Sequence, residues 1–353
     1  MTDFILVGRG LAATTLAHTF KNHNISFKII GLPTLSNCSL IAAGIWNPIV
    51  FKRLTQSWLA HKTIPYLNSF YKDCEERLNK KFVYHRNIIK PFSEEQEKQL
   101  WLKKSRNELD HFLGEVVDLK SLSLKNYNVS GEGGIVKQSG NIDVASFINA
   151  TELFFKEHYI TEVFDHSLLE HAPDSVTYKG ILAKNIIFCE GHLIKNNPFF
   201  SWIPMKPAKG EVLLIESMEI ELNNHILNKN GFILQTSSGN FKAGATYEWD
   251  DFTDKPTEKG KRELIEKLAS LVTCPYTITS QQAGVRPSTL DRRPVIGAHP
   301  VYSNVYVFNG LGTKGVMLAP YFANNFVFCY LQNQPLNSDV DVKRYYNLLK
   351  RAE

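Results

Sequence analysis

Apolar residues fall in short unbroken runs at intervals along this chain, and Phe4-Ile5-Leu6-Val7 is the first of them. Four consecutive apolar residues mark a strand covered on both faces, as in a buried parallel sheet. Gly8-Arg9-Gly10-Leu11-Ala12-Ala13 follows directly, then a helical stretch that fades by His23, then a second strand over Ile25 to Ile30. Asn185 to Phe188 repeats the first pattern and ends at Cys189-Glu190-Gly191; Asn304 to Phe308 repeats it again before Asn309-Gly310-Leu311-Gly312-Thr313-Lys314-Gly315 and a helix from Val316. The last helix carries Pro320, which is compatible with a place in its first turn.

Between these runs the pattern changes. Ser175 to Tyr178 and Ile181-Leu182 predict a hairpin around Lys179-Gly180, and Ile160 to Phe164 predicts a strand. Gly210 to Ile215, Gly231 to Thr236 and Phe241 to Tyr247 are strands separated by turn residues, which predicts an antiparallel sheet. Three helices are expected, the first and last of them amphipathic. One is opened by Ser93 and Gln96 as a capping box, one by Asp143 as N-cap and running to about His158, and one spans Thr257 to Val272.

The first glycine turn has the chemistry of a diphosphate site. Such a site needs backbone N–H groups at a helix N-terminus, a sharp turn at the first glycine, room for phosphate at the second, and a small third residue so that helix and strand touch. Gly8, Gly10 and Ala13 meet these three needs within a strand, turn, helix and strand of about 30 residues. The acid that ordinarily ends the second strand and holds the adenosine ribose is missing, because Gly31 and Leu32 stand there. No arginine follows Gly31 to accept a 2′-phosphate.

Composition adds limits. Hydrophobic residues make up 43% and charged ones 21%, an ordinary globular mix. Forty basic residues against 35 acidic leave +5, and the charges are scattered, so no nucleic-acid partner is expected. Five separated cysteines without a CxxC argue against a disulfide framework or a zinc site and fit a reducing compartment, and the cytoplasm is the expected location. The opening apolar run is too short for an export signal. Val316 to Leu331 is too short and too interrupted for a membrane span, so no transmembrane segment and no metal site are expected.

Taken in order, Gly8-x-Gly10-x-x-Ala13, Ala42-Ala43-Gly44, Ile187-x-x-Glu190-Gly191, Gly284-Val285-Arg286-Pro287 with Pro294-Val295-Ile296-Gly297, and Gly310-x-Gly312-x-x-Gly315 resemble the glycine oxidase and D-amino-acid oxidase family of FAD-dependent oxidoreductases. The resemblance implies an α/β fold: a discontinuous Rossmann-like FAD-binding domain over 1–78, 135–205 and 275–353, with a substrate domain over 79–134 and 206–274 built on a mixed, largely antiparallel sheet. It implies non-covalent FAD, with Gly8, Gly10, Leu11, Ala12 and Ala13 at the diphosphate and Gly191 completing that site. Ala42, Ala43 and Gly44 would lie along the flavin, backbone near Val163 at the adenine, and Gly312, Thr313, Lys314, Gly315 and Val316 at the flavin pyrimidine.

Arg286 corresponds to the arginine that grips a substrate carboxylate, while Thr313 stands where some relatives carry a second arginine, leaving Lys314 as the other cation. Tyr247 and Trp46 are further pocket candidates, with core or rim aromatics as the alternative for both. His192 reads as structural. The expected reaction is oxidation of the C–N bond of a small amine or amino acid by hydride transfer to flavin N5, the imine then being hydrolysed, with oxygen or another acceptor taking the electrons. The alternatives are an enzyme oxidising an aminomethyl group of tRNA, and a flavin-binding protein without turnover. The sequence leaves oligomeric state open.

Overall fold

A computed structural model describes residues 1–32, 38–122, 127 and 131–349. Its strands form two large sheets. In the first, Thr2–Val7 lies between Phe27–Ile30 and Ile181–Phe188, all parallel, with Tyr159–Ile160 beyond Phe27–Ile30 and Val305–Asn309 beside the C-terminal half of Ile181–Phe188. Phe4, Ile5, Leu6, Ile186, Ile187 and Phe188 are wholly buried, as unbroken apolar runs require. Helices Leu11–Asn22, Ala60–Leu78 and Gly315–Gln332 pack together over one face, with Phe4, Leu16, Phe20, Leu67, Phe322 and Phe326 in one core.

The second sheet runs in the order Thr277–Arg286, Ala208–Glu216, Phe241–Gly244, Phe232–Gln235, Ile226–Asn228, Ile88–Pro91, Glu132–Val136, Leu113–Asp118. Every neighbour in it is antiparallel except Ile226–Asn228 with Ile88–Pro91, so it is mixed and largely antiparallel. The helix Glu258–Ala269 covers it through Leu264 and Leu268, with Leu271 just beyond, and Thr257 caps that helix by accepting from the Gly260 N–H. A third, small sheet of Ile45–Trp46, Gly140–Ile142 and Val83–His85 is also present. Thr277–Arg286, which lies after residue 275 in the stretch expected on the cofactor side, pairs instead with Ala208–Glu216 of the second sheet.

Several local expectations change. The strand expected over Ile160 to Phe164 is only Tyr159–Ile160; the chain then leaves the sheet along the rim of a cavity. The helix opened by Asp143 ends at Phe154, and that opened near Ser93 is Glu95–Ser105, with Glu97 rather than Gln96 reaching back to the Ser93 N–H. Pro320 sits in the second turn of Gly315–Gln332, not the first. Its missing N–H leaves the Val316 carbonyl without a helical donor, and the buried Tyr71 hydroxyl supplies one at 3.1 Å.

Candidate active site

A cavity of about 1000 Å³ is lined by residues of both large sheets. At one end the strand Thr2–Val7 delivers Gly8, whose φ is +121° and whose added Cβ would stand 2.5 Å from the Cys189 carbonyl oxygen. Only glycine suits that place. Gly10 is the N-cap of Leu11–Asn22 and offers no side chain to the free N–H groups, and the first turn holds no acid. The Leu11 N–H donates to the Ser39 hydroxyl at 3.1 Å, and the rest of that helix N-terminus is open to an anion. Gly191, with φ +61°, closes the same part of the cavity after Ile181–Phe188.

A second helix start faces the cavity farther along the chain. Gly312–Lys314 forms one 3₁₀ turn before Gly315–Gln332, and this start likewise has no side-chain cap and no acid in its first turn. Two uncapped helix starts on one cavity, with a glycine cradle at the first, fit a dinucleotide with a diphosphate in its middle and a ring that accepts negative charge at one end.

The other end of the cavity belongs to Arg286. This last residue of Thr277–Arg286 lies across Gly210, where an added Cβ would come within 2.0 Å of the Arg286 Nη2. Nη1 donates to the Lys209 carbonyl at 3.2 Å, Nη2 donates to the Thr246 carbonyl at 3.2 Å, and the guanidinium sits 4.3 Å from the centre of the Tyr247 ring. Tyr247 is 54% exposed and lines the cavity mouth. Across from them, Lys314 donates to the Ser57 hydroxyl, which donates in turn to the Asn47 carbonyl at 2.8 Å. Burial, helped by Arg293, brings the Lys314 ammonium down to about 8.

Of the residues expected at the site, Gly8, Gly10, Leu11, Ala12, Ala42, Ala43, Gly44, Val163, Gly191, Tyr247, Arg286 and Gly312 through Val316 all line this one cavity. Two do not. Ala13 is buried behind the wall, where its small side chain lets helix and strand meet. Trp46 is corrected: it is 1% exposed, pairs through its backbone with Gly140, and donates its indole N–H to the Gln138 carbonyl at 3.0 Å. Its large ring fills the space over Gly140, where a Cβ would meet it at 2.4 Å.

Other lining residues had no signal in the sequence. Asn228 and Asn230 come from a turn in the second sheet, Glu162 and His166 from the segment after Tyr159–Ile160, and Asp254 from the loop after Tyr247. That loop is tied down by Lys209, which is wholly buried and donates to Asp251 at 2.5 Å and to Thr253 at 3.2 Å. His192 also lines the cavity, its basicity lowered by burial and by Lys195, with Asp254 opposing. Lys242 donates to the carbonyls of Ile41 and Ala42 at 3.2 and 3.3 Å and so fixes the backbone of the small-residue run. Among the described residues no cluster of potential metal ligands is present, and no helix is long and apolar enough to cross a membrane.

The sequence model of the DAO family, described as FAD dependent oxidoreductase, matches residues 32–326. Glycine oxidase of Bacillus subtilis (strain 168) is 24% identical over 225 residues, which are 57% of this chain and 60% of that protein. The tRNA 5-methylaminomethyl-2-thiouridine biosynthesis bifunctional protein MnmC of Idiomarina loihiensis is 27% identical over 172 residues, 45% of this chain and 27% of that protein. These matches thus span less than two thirds of either relative. In fold, the crystal structure of glycine oxidase from Geobacillus kaustophilus is similar with a TM-score of 0.78 at 18% identity, covering 98% of this chain and 97% of that one.

Proposed function

The chain belongs to the DAO family of FAD-dependent oxidoreductases, and on that premise we propose that it oxidises the C–N bond of a small amine or amino acid that carries a carboxylate. The observation that carries this reading is Arg286. Two of its five N–H groups are spent on the Lys209 and Thr246 carbonyls, and its plane rests on Tyr247, so the fork is held rigid at the cavity wall. A preset guanidinium grips a carboxylate through paired hydrogen bonds and fixes the neighbouring carbon in place.

FAD, when bound, supplies the acceptor for the hydride that leaves the carbon next to nitrogen. Gly8, Gly10 and the start of Leu11–Asn22 would hold its diphosphate, the wall at Gly31 and Val163 its adenosine, and Ala43-Gly44 with the start of Gly315–Gln332 its ring. The uncapped N–H groups of that second helix would favour negative charge on the ring held there. Lys314, held by Ser57, adds a positive charge near the same turn and takes the place of a second arginine. An amine that arrives neutral needs no general base, and water hydrolyses the resulting imine.

Anaerobic mixing of the flavoprotein with glycine, sarcosine, proline and a set of D-amino acids tests this reading. Loss of flavin absorption with at least one carboxylate-bearing amine is the expected result. Bleaching by none of them, together with salt-sensitive binding of RNA, would favour the reading in which the amine is an aminomethyl group of tRNA.

A further inference from the structure

We propose that Glu162 binds the adenosine ribose of FAD, in place of the acid that ordinarily stands at the end of the second strand. This rests on the orientation just given, with adenosine at the Gly31 end of the cavity. Position 31 is closed to an acid for a local reason. An added Cβ there would stand 2.9 Å from Cγ and 3.3 Å from Cδ of Arg9, whose side chain crosses directly over it.

Arg9 has no freedom to withdraw. Its Nε donates to Glu152 Oε1 at 2.9 Å and its Nη2 pairs with Glu152 Oε2 at 2.7 Å, while Nη1 donates to the Gly31 carbonyl at 3.3 Å and to the Thr161 hydroxyl at 3.0 Å. The guanidinium also rests 4.9 Å from the centre of the Tyr159 ring. Glu152 neutralises it, so it is a clasp and not a phosphate receptor.

The same clasp places a substitute. Tyr159 and Thr161 flank the end of the short strand that runs parallel to Phe27–Ile30, and the Gly31 N–H donates to the Ile160 carbonyl at 3.1 Å. The two strand ends are thereby level, and the chain emerges from the second one at Glu162, on the cavity wall beside Gly31. Three carboxylates line the cavity among the described residues: Glu162, Glu190 and Asp254. Glu190 has both oxygens engaged, one by His166 at 3.0 Å and one by Asn197 at 2.7 Å. Asp254 belongs to the loop after Tyr247 and interacts with His192.

Glu162 engages only Oε2, which accepts from Lys179 at 2.9 Å. That contact aims the carboxylate and leaves Oε1, with the second lone pair of Oε2, for the two adjacent ribose hydroxyls. A carboxylate accepts such a diol through charge-assisted hydrogen bonds, the bond type that the missing acid would have made.

The test is titration of the full-length, flavin-stripped protein, followed by flavin fluorescence, with FAD, with FMN, and with an FAD analogue lacking both hydroxyls of the adenosine ribose. Glu162→Ala should raise the Kd for FAD by roughly tenfold to a hundredfold, the range for a lost charge-assisted hydrogen bond. It should leave the Kd for FMN unchanged. The analogue should bind the wild type about as weakly as FAD binds the variant and lose nothing further in the variant. Glu162→Gln, equal in volume but neutral, gives the same readout should alanine disturb the fold. Unchanged FAD affinity in the variants, or equal losses for FAD and for the analogue, would overturn the role of Glu162. Wild-type protein that binds FMN as tightly as FAD would strike down the placement of the adenosine itself, and this inference with it.

Discussion

Arg286 and Lys314 both line the cavity and are the two cations proposed to face the substrate, and their surroundings assign them different behaviour. Arg286 depends on its planar fork, because two N–H groups must reach the Lys209 and Thr246 carbonyls while others remain for substrate. Arg286→Lys should therefore weaken a carboxylate substrate nearly as much as Arg286→Ala, by about 1.5–3 kcal/mol in binding measured by anaerobic flavin reduction. Retention of wild-type affinity by the lysine variant would remove the fork from the explanation.

Lys314 titrates. With its proton leaving near 8, the ammonium is charged below that pH and neutral above it. Affinity for a simple carboxylate without an amine, read from the perturbed flavin spectrum, should fall as pH rises through about 8, and Lys314→Met should flatten that fall. The same shift has a stability sign. A lysine whose folded-state value is lowered from 10.5 to about 8 binds its proton more weakly folded than unfolded, so the charged form costs stability at pH 7. The cost, on the order of 3 kcal/mol, disappears between pH 8 and 10.5. Flavin-free Lys314→Met should accordingly melt higher than wild type at pH 7, with the gap closing toward pH 10.5.

At the level of elements, the helix Gly315–Gln332 keeps a proline in its second turn because a different helix serves the carbonyl it leaves free. Tyr71, on Ala60–Leu78, donates to Val316 within the core. Tyr71→Phe should cost about 1–3 kcal/mol, the penalty for a buried acceptor left without a partner. Pro320→Ala restores the backbone donor to that same carbonyl, so the cost of Tyr71→Phe should shrink markedly in the Pro320→Ala background. Chemical denaturation of the four proteins checks this, and additive losses would show that the two groups do not share one acceptor. This arrangement was not legible in the sequence, since Tyr71 and Val316 are far apart along the chain and no periodicity links them.

Other features were legible where local physics dictated them. The glycine turn at Gly8, the hairpin at Lys179-Gly180 and the cap at Asp143 followed from short-range chemistry. Trp46 was left between pocket and core because a large aromatic after small residues suits a flat ligand and a packed Gly140 equally well, and only tertiary packing separates the two. Lys209 was silent for the same reason: nothing local shows that its ammonium is buried and holds the loop through Asp251 and Thr253. Lys209→Met should release that loop, speeding proteolysis between residues 248 and 257 and weakening substrate while leaving FAD bound.

Over the whole molecule, the two large sheets are each assembled from distant parts of the chain. The first joins strands from residues 2–188 to Val305–Asn309, and the second joins Ile88–Pro91 to Ile226–Asn228 through a single parallel pair. A cut near residue 200 therefore severs both sheets at once and divides the cavity, since Gly8 falls in one fragment while Arg286 and Gly312 fall in the other. Each fragment would expose the edge of both sheets and bury too little apolar surface to offset the entropy of ordering its backbone. Fragments 1–200 and 201–353 should each show no cooperative thermal transition and bind no FAD. Co-expressed, they should recover flavin absorption, because the contacts that close both sheets and the cofactor that bridges them stabilise only the reassembled pair. A cooperative, FAD-binding N-terminal fragment would mean that the first glycine turn and its sheet suffice for the cofactor, and the distant turn at Gly312 would then lose its share in holding it.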